Sequence, residues 1–534
     1  MGRVAVITGA SRELAGQVID VVIAGAGPDG LMVACELGLA GIRPVVLDPM
    51  PGPNPAPRVN RIVGQAARIL DHRGLYSALT GIAVPAPAPH ANFAGFPLDL
   101  SSVPASQLFA IPVQQRGLVQ VLAERAGEYD ADIRWGHALT GFEQHEDGVT
   151  VHVAGPGGTY DLTANYLIGA DGGTSKTRHL AGIEFPGMSS YDLVIRIGFE
   201  VLPPDEWVEP GAPDPRGSGH LPPQQFRRTD RGVFIYGEMG SRVAVMTYEL
   251  DSSARGQRSD DSTDEPPMSL AELRASAERV LGADVPLRPA SPDAPLDLRR
   301  LSGINSRIAS RYQVGRVLLV GDAAHVHAPI GGPGLNLGLP DGVNLGWKLA
   351  AVSSGRVEPA LLATYETERR PAAERLVMQT RAQLALFRPG PEVTALRELF
   401  SELLTDPDNV VWISDLLSGA DNHYAAGTGA HPLVGRWVPD FAVANAGGKQ
   451  RIAELARAGR PVVIDITKSG TVAAAVADIA DQLIVAAGRP VGEVPATAVL
   501  VRPDGYVAWA SSQTRPGPDE LRELRGVLTH WFGI

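Results

Sequence analysis

The run Gly25-Ala26-Gly27-Pro28-Asp29-Gly30 sets three glycines at the spacing Gly-x-Gly-x-x-Gly. Glycines so placed allow a tight turn, a close approach of backbone to a pyrophosphate and tight packing of the following helix, whose N-terminus offers oriented N–H groups and partial positive charge. Asp48 closes the next apolar run, where a carboxylate can accept hydrogen bonds from ribose hydroxyls. A second constellation runs from Gly321-Asp322-Ala323-Ala324-His325 to Pro329-Ile330-Gly331-Gly332-Pro333-Gly334-Leu335-Asn336. It puts an aspartate at a strand end and then unhindered backbone that can lie against a flat ring before a helix N-terminus. His325 and His327 stand two apart without an acidic or cysteine partner nearby in sequence, so no metal site is expected.

The surrounding pattern supplies the elements these residues need. Val21-Val22-Ile23-Ala24 reads as a strand, Leu31 to Ala40 as a helix and Pro44-Val45-Val46-Leu47-Asp48 as a second, parallel strand, closing a βαβ unit. A turn upstream, Thr8-Gly9-Ala10-Ser11-Arg12, imitates the opening of a short-chain dehydrogenase. Glu13 and Ala15 replace its needed glycines and no Tyr-x-x-x-Lys pair exists, so residues 1–19 are read as an N-terminal extension. Between Tyr191 and Leu250 strand-like runs follow one another without helices, predicting an antiparallel lobe. Val317-Leu318-Leu319-Val320 then returns to the nucleotide-binding style, with helices from about Asp341 and around Leu361 to Arg370. Beyond His431 a small α/β unit restarts, with strands at Val462–Ile466 and Ala498–Val501, a helix near Val472 to Ala487 and a last helix from Asp519 to Phe532.

Bulk properties narrow the class. At 534 residues the chain calls for about three domains. A net charge of −12 without a basic block argues against nucleic acid as a partner, and no apolar run approaches the length of a membrane span. A cytoplasmic location is expected. Cys35 is the single cysteine, which excludes an internal disulfide, a CxxC pair and a cysteine zinc cluster. Redox chemistry here would need a cofactor, and Cys35 itself reads as a buried structural thiol.

Taken together, the segments resemble the FAD-dependent aromatic hydroxylases typified by p-hydroxybenzoate hydroxylase, and in particular their polyketide-oxygenase branch. Gly25 to Gly30 is similar to the family's first fingerprint, Gly169-Ala170-Asp171-Gly172-Gly173-Thr174-Ser175-Lys176-Thr177-Arg178 to its DG motif, and Gly321-Asp322 through Asn336 to its GD motif. Asp341–Ala350 and Tyr365–Pro371 also look like this family. Asp29, Asp48 and Pro333 depart from the usual small residue, glutamate and glutamine.

The resemblance implies an α/β fold. A Rossmann-type FAD-binding domain would cover 20–188 and 297–400, an antiparallel substrate lobe 189–296, linker helices 401–430, and a thioredoxin-like C-terminal domain without cysteines 431–534. It implies that Gly25, Gly27, Pro28, Gly30 and Asp48 bind the ADP half of FAD. Asp171 would serve FAD and the approaching nicotinamide, Asp322 the ribityl chain, and Gln115, or Gln114 one residue earlier, the flavin. Pro329, Gly331, Gly332, Gly334, Leu335 and Asn336 would line the ring, with Arg58 beside it. Arg178 belongs to the DG motif, and its reading apart from the family is a surface ion pair. Arg196, Phe226 and Tyr236 are candidate substrate walls.

NADPH would reduce the flavin, and a flavin C4a-hydroperoxide would pass oxygen to a polycyclic aromatic polyketide. Such chemistry asks for exclusion of water and orientation of substrate rather than a strong acid or base. Hydroxylation is the expected outcome. Baeyer–Villiger insertion is the alternative that a cation at Arg58 would favour. A flavin reductase and a non-catalytic flavin binder, and a homodimer as the assembled form, are left open by the sequence, whereas a halogenase lacks its Trp-x-Trp-x-Ile motif here.

Overall fold

A computed structural model describes residues 18–54, 61–101, 103, 106–111, 113–190, 192–204, 223–239, 242–250, 266–292, 296–330, 332, 334–492 and 494–534. The turn at Thr8, nearly all of the 1–19 extension, Arg58, Gly331 and Pro333 lie outside the described residues.

Val21, Val22 and Ile23 have no exposed surface, as strands covered on both faces by helical crossovers require. Their strand, Ile19–Ala24, pairs in parallel with Val45–Asp48 on one side and with the end of Gly158–Gly169 on the other. Gly158–Gly169 in turn pairs in parallel with Val317–Leu319. Residues three hundred positions apart thus share one sheet, and the two glycine-rich constellations are brought to the same strand ends.

The first helix, Pro28–Leu39, crosses the long helix Gly334–Ser353 closely. Gly338, Gly342 and Gly346 recur every fourth residue on the long helix. A Cβ on Gly338 would lie 2.4 Å from the Asp29 carboxyl, and one on Gly346 would lie 2.4 Å from the Glu36 Cβ. Only hydrogen fits there, so the glycine stripe fixes the distance between the helices that carry the two fingerprints.

The lobe is a five-stranded antiparallel sheet ordered Arg227–Thr229, Gly232–Met239, Arg242–Leu250, Leu193–Phe199, Asp297–Leu301. Helix Leu270–Leu281 starts on the Ser269 hydroxyl, which accepts the Glu272 N–H, and covers the outer face with Leu273, Ala277 and Val280. The inner face presents Leu193, Ile195, Val233 and Tyr248 to a cluster containing Phe93, Phe96, Phe387, Ala328 and Ile330.

Beyond residue 431 the main sheet runs Ile484–Ala487, Val462–Asp465, Ala498–Val501, Val507–Ser511. The expected helix near Val472 to Ala487 is corrected here. Its helical part is Thr471–Ala475 with a one-turn 3-10 helix at Ala477–Ile479, and Ile484–Ala487 is a strand parallel to Val462–Asp465. The alanine-rich stretch favours helix locally, but the edge of the sheet offers its β-branched end a partner, and tertiary context wins. This unit packs on the long helix through Trp347, whose ring lies 6.2 Å from Trp531 and 5.6 Å from Phe532.

A buried polar junction joins the units. Glu368, on helix Ala363–Phe387, accepts from Lys348 Nζ at 2.6 Å and from both Arg502 Nη atoms at 2.6 and 2.7 Å. Asn344 donates to Glu368 and Asp504. Arg73 pairs with Glu36 and donates to the Ala456 and Pro503 carbonyls, tying the first helix to the same partner. Cys35 is buried, its thiol 3.4 Å from the Leu122 carbonyl.

Candidate cofactor and substrate site

Gly25 has φ of +112°, and a Cβ there would lie 2.3 Å from the Ala170 carbonyl oxygen; one on Gly30 would lie 2.1 Å from the Gly25 oxygen. These two glycines are required by the fold. Gly27 is different: nothing lies within 4 Å of where its Cβ would be. It stands just ahead of Pro28, the first residue of the helix, where free N–H groups gather. Asp48 Oδ2 accepts the Ala26 N–H at 2.8 Å and Oδ1 the Met50 N–H at 2.9 Å, so the second strand holds the turn of the first in place.

The DG segment is organised around Asp171. One carboxylate oxygen accepts the Ser175 hydroxyl, and the other accepts the Thr177 N–H at 2.8 Å and hydroxyl at 2.9 Å. Ser175 also caps the short helix Lys176–Leu180 through the Arg178 N–H. Arg178 is no surface charge: Nη1 donates to the Ala323 carbonyl and Nη2 to the Gly173 carbonyl, both at 2.8 Å, with its guanidinium 3.7 Å over the Phe185 ring. Burial holds it below its ordinary pKa, and its bonds lock the DG turn to the GD turn. The hydroxyls at 175 and 177 are the residues the sequence reading passed over, although a serine before a short helix is a legible capping signal.

Asp322 lies exposed on the one-turn helix Gly321–Ala323, beside the half-buried His327. His327 Nε2 and Asp322 Oδ1 lie 3.3 and 3.8 Å from where a Cβ on Gly334 would stand, at the start of the long helix. Asn336 Oδ1 accepts the Val63 N–H at 2.8 Å and its Nδ2 donates to the Gly332 carbonyl, closing the loop onto strand Ile62–Val63. Gln115 opens helix Gln115–Glu128, half-buried, with the exposed Gln114 as its cap. Leu335 is buried and Pro329 exposed. Asp29 sits wedged between Gly321 and Gly338; burial and the neighbouring Asp322 and Asp341 push its carboxyl well above the usual range, and its Oδ1 has no hydrogen-bond partner among the described residues.

Whether FAD suits these residues is tested by the glycines. Gly27, Gly172 and Gly332, one from each constellation, have nothing within 4 Å of a Cβ, while Gly25, Gly30 and Gly321 are packed shut. Open backbone at three points along one rim, with a helix N-terminus at each end, fits a long dinucleotide carrying a flat ring.

Two wall assignments are corrected. Arg196 and Tyr236 occupy the outer face of the lobe sheet. Arg196 donates to Glu249 and Glu272, each at 2.8 Å, and Tyr236 packs with Phe234, Val245 and Leu273 under the lobe helix. Side chains alternate along a strand, so a one-residue shift exchanges the faces. Ile195, Ile197 and Ile235 are their inward-facing neighbours. Phe226 does join the inner cluster, its ring 5.1 Å from Phe387.

This fold and rim define an FAD-binding flavoprotein. Residues 18–380 match the FAD binding domain profile and residues 431–534 that of the aromatic-ring hydroxylase C-terminal region. The chain belongs to the FAD-dependent aromatic-ring hydroxylase family of monooxygenases. It is 38% identical over 527 residues to the 12-dehydrotetracycline 5-monooxygenase/anhydrotetracycline 6-monooxygenase of Streptomyces rimosus, covering 96% of this chain and 99% of that one. It is 34% identical to the dialkyldecalin synthase of Streptomyces rugosporus, over 96% and 98% of the two chains. The solved structure of the OxyS anhydrotetracycline hydroxylase from Streptomyces rimosus superposes with a TM-score of 0.82 at 36% identity, covering 96% and 99%.

Proposed function

We propose that this chain uses NADPH and O2 to place one hydroxyl on an aromatic ring of a polycyclic polyketide. The balance is substrate, O2, NADPH and a proton giving hydroxylated product, NADP+ and water. The observation that carries the reading is the apolar cluster that runs without interruption from Ala328 and Ile330, on the flavin loop, to the inner face of the lobe. Such a wall holds a flat apolar substrate against the ring and excludes water, and its side chains supply no acid–base dyad. The relatives named for monooxygenation of tetracyclines favour hydroxylation over Baeyer–Villiger insertion.

When bound, FAD supplies the electron transfer and the activation of oxygen. Gly25, Gly27, Pro28, Gly30 and Asp48 hold its ADP half in this reading. Asp322 takes the ribityl hydroxyls, while Asp171 acts mainly by fixing the DG turn, since its oxygens already accept three hydrogen bonds. Pro329, Gly332, Gly334, Leu335, Asn336 and Gln115 orient the ring, and Arg58 and Gly331 complete the set. The domain assignment follows, with 20–188 and 297–400 binding FAD and 189–296 roofing the substrate. We assign 431–534 a thioredoxin-like form, supported by its parallel pair at one edge of the sheet followed by two antiparallel strands, and a role in bracing the long helix.

The test is a turnover with NADPH, labelled O2 and anhydrotetracycline. One labelled atom recovered as a hydroxyl is expected. A lactone, or an unlabelled product isomeric with its substrate formed without NADPH, overturns the reading.

A further inference from the structure

The inner face of the lobe and the helix Ala363–Phe387 packed against it each carry a hydrogen-bond donor that no described residue uses. Tyr248 is 5% exposed, on the inward face beside Ile195 and Val233. Its ring lies 5.5 Å from Phe387, yet its hydroxyl makes no hydrogen bond among the described residues. Burial alone raises the phenol well above its ordinary pKa, so it remains an O–H donor across the working pH range. Gln383 lies one helical turn before Phe387 and is 3% exposed. Its Oε1 accepts the Ala94 N–H at 3.3 Å, which settles the orientation of the amide and leaves both Nε2 hydrogens without an acceptor among the described residues.

A buried polar group normally finds a partner, because leaving it unsatisfied costs free energy. Neither the Tyr248 hydroxyl nor the Gln383 Nε2 is sealed off, and both stand in a wall otherwise built of Leu193, Ile195, Phe226 and Phe387, so each is open to a partner that arrives with the ligand.

We propose that Tyr248 and Gln383 are the specificity donors of the substrate pocket, recognising a carbonyl or quinone oxygen on the ring system distant from the oxidised carbon. This inference rests on the proposed polycyclic substrate and deepens it. An acceptor oxygen beside either donor satisfies it, whereas a hydrocarbon edge at the same place displaces its water and leaves it bare, which is how a site built to hydrogen-bond rejects an analogue lacking the atom. The donors fix which edge of the flat molecule enters first, and hence which carbon faces the flavin loop at Ala328 and Ile330.

The probes are 1-hydroxyanthraquinone and 1-hydroxyanthracene, the same three-ring frame with and without two carbonyl oxygens. Binding is titrated by the change in flavin absorbance of the FAD-loaded protein. Wild type is expected to prefer the quinone. Tyr248→Phe should weaken quinone binding about 5- to 10-fold, the worth of one neutral hydrogen bond, and leave the anthracene within about 2-fold. Its melting temperature should stay within about 1 °C of wild type, since the hydroxyl has no folded partner to lose. Gln383→Leu also frees the Ala94 N–H and lowers stability. Its ratio of quinone to anthracene affinity compares two ligands on one protein and should still fall.

Equal weakening of both probes, or an unchanged ratio in both variants, overturns the inference and leaves the proposed reaction standing. A wild-type protein that binds neither polycycle overturns the substrate class, and this inference with it.

Discussion

Replacing Glu368 by glutamine and Lys348 by methionine should have very unequal effects, although the two residues form one ion pair. Glu368 accepts from Lys348 and is paired with Arg502, where all three side chains are at most 8% exposed. Glu368→Gln leaves the always-charged Arg502 with Asp504 as its remaining carboxylate partner, and breaking a buried pair in this way costs about 3–5 kcal/mol. Lys348→Met leaves the two bonds from Arg502 and that from Asn344 in place. It deprives the Asn344 oxygen of its donor, about 1 kcal/mol, and relieves the burial that pulls Lys348 from 10.5 down to about 7. The net change should be under about 1 kcal/mol. With an unfolding entropy of about 2 cal/mol/K per residue, a chain of this length melting as one unit moves roughly 1 °C per kcal/mol.

Calorimetry of the FAD-loaded protein at pH 7.5 should then show a fall of about 3–5 °C for Glu368→Gln and about 1 °C or less for Lys348→Met. The pH dependence gives a second handle. Between about 7 and 10.5 the unfolded chain holds the Lys348 proton and the folded chain does not, so this group makes stability rise with pH over that window. Lys348→Met should flatten that rise. If Lys348→Met proves as damaging as Glu368→Gln, the ammonium is contributing as a charge and the reasoning fails.

The glycines separate folding from cofactor binding: Gly30→Ala should lower both stability and FAD retention, while Gly27→Ala should leave the melting point of the apoprotein within about 1 °C and raise the FAD dissociation constant, read by flavin fluorescence. An unchanged FAD affinity in Gly27→Ala would remove the first constellation from the cofactor site. The two faces of the lobe make a parallel contrast. Arg196→Met should destabilise the protein and leave KM for anhydrotetracycline within about 2-fold, whereas Ile197→Phe should raise that KM with little change in melting point; the reverse pattern would restore Arg196 to the substrate wall. Acid should loosen the lobe and the junction together. Glu272, held at about 2 chiefly by its bond to Arg300, and Glu368, at about 2 beside Arg502, contribute stability that is complete above about 4.5 and is lost as pH falls toward 2. Glu272→Gln should reduce that slope in an acid titration followed by tryptophan fluorescence.

The alternation of the lobe strands shows where sequence reading loses resolution. Leu193 to Phe199 is plainly a strand, but whether even or odd positions face the flavin depends on which side the helix Leu270–Leu281 covers, seventy residues later. Arg196 and Tyr236 were therefore one position away from the inner face. A similar limit applies to Val472 to Ala487, where alanines promise a helix and strand Val462–Asp465 claims the last four residues as the edge of its sheet. Arg178 reads as a surface charge until the fold carries Ala323 to within a hydrogen bond of it.

What the sequence determined by itself was local chemistry: Gly25, Gly27 and Gly30 for a phosphate turn, Asp48 at the next strand end, Asp322 before a glycine loop, and one cysteine that leaves redox work to a cofactor. Those features depend on residue type and short spacing, which backbone sterics and helix N-termini translate directly into geometry. Tertiary structure alone decided which glycines stay open to a ligand and which are packed shut, which face of the lobe meets the flavin loop, and which buried donors are left without partners. Each of these is set by contacts between residues hundreds of positions apart, and the physical reason is the same in every case: exclusion of water and satisfaction of hydrogen bonds are properties of the packed whole.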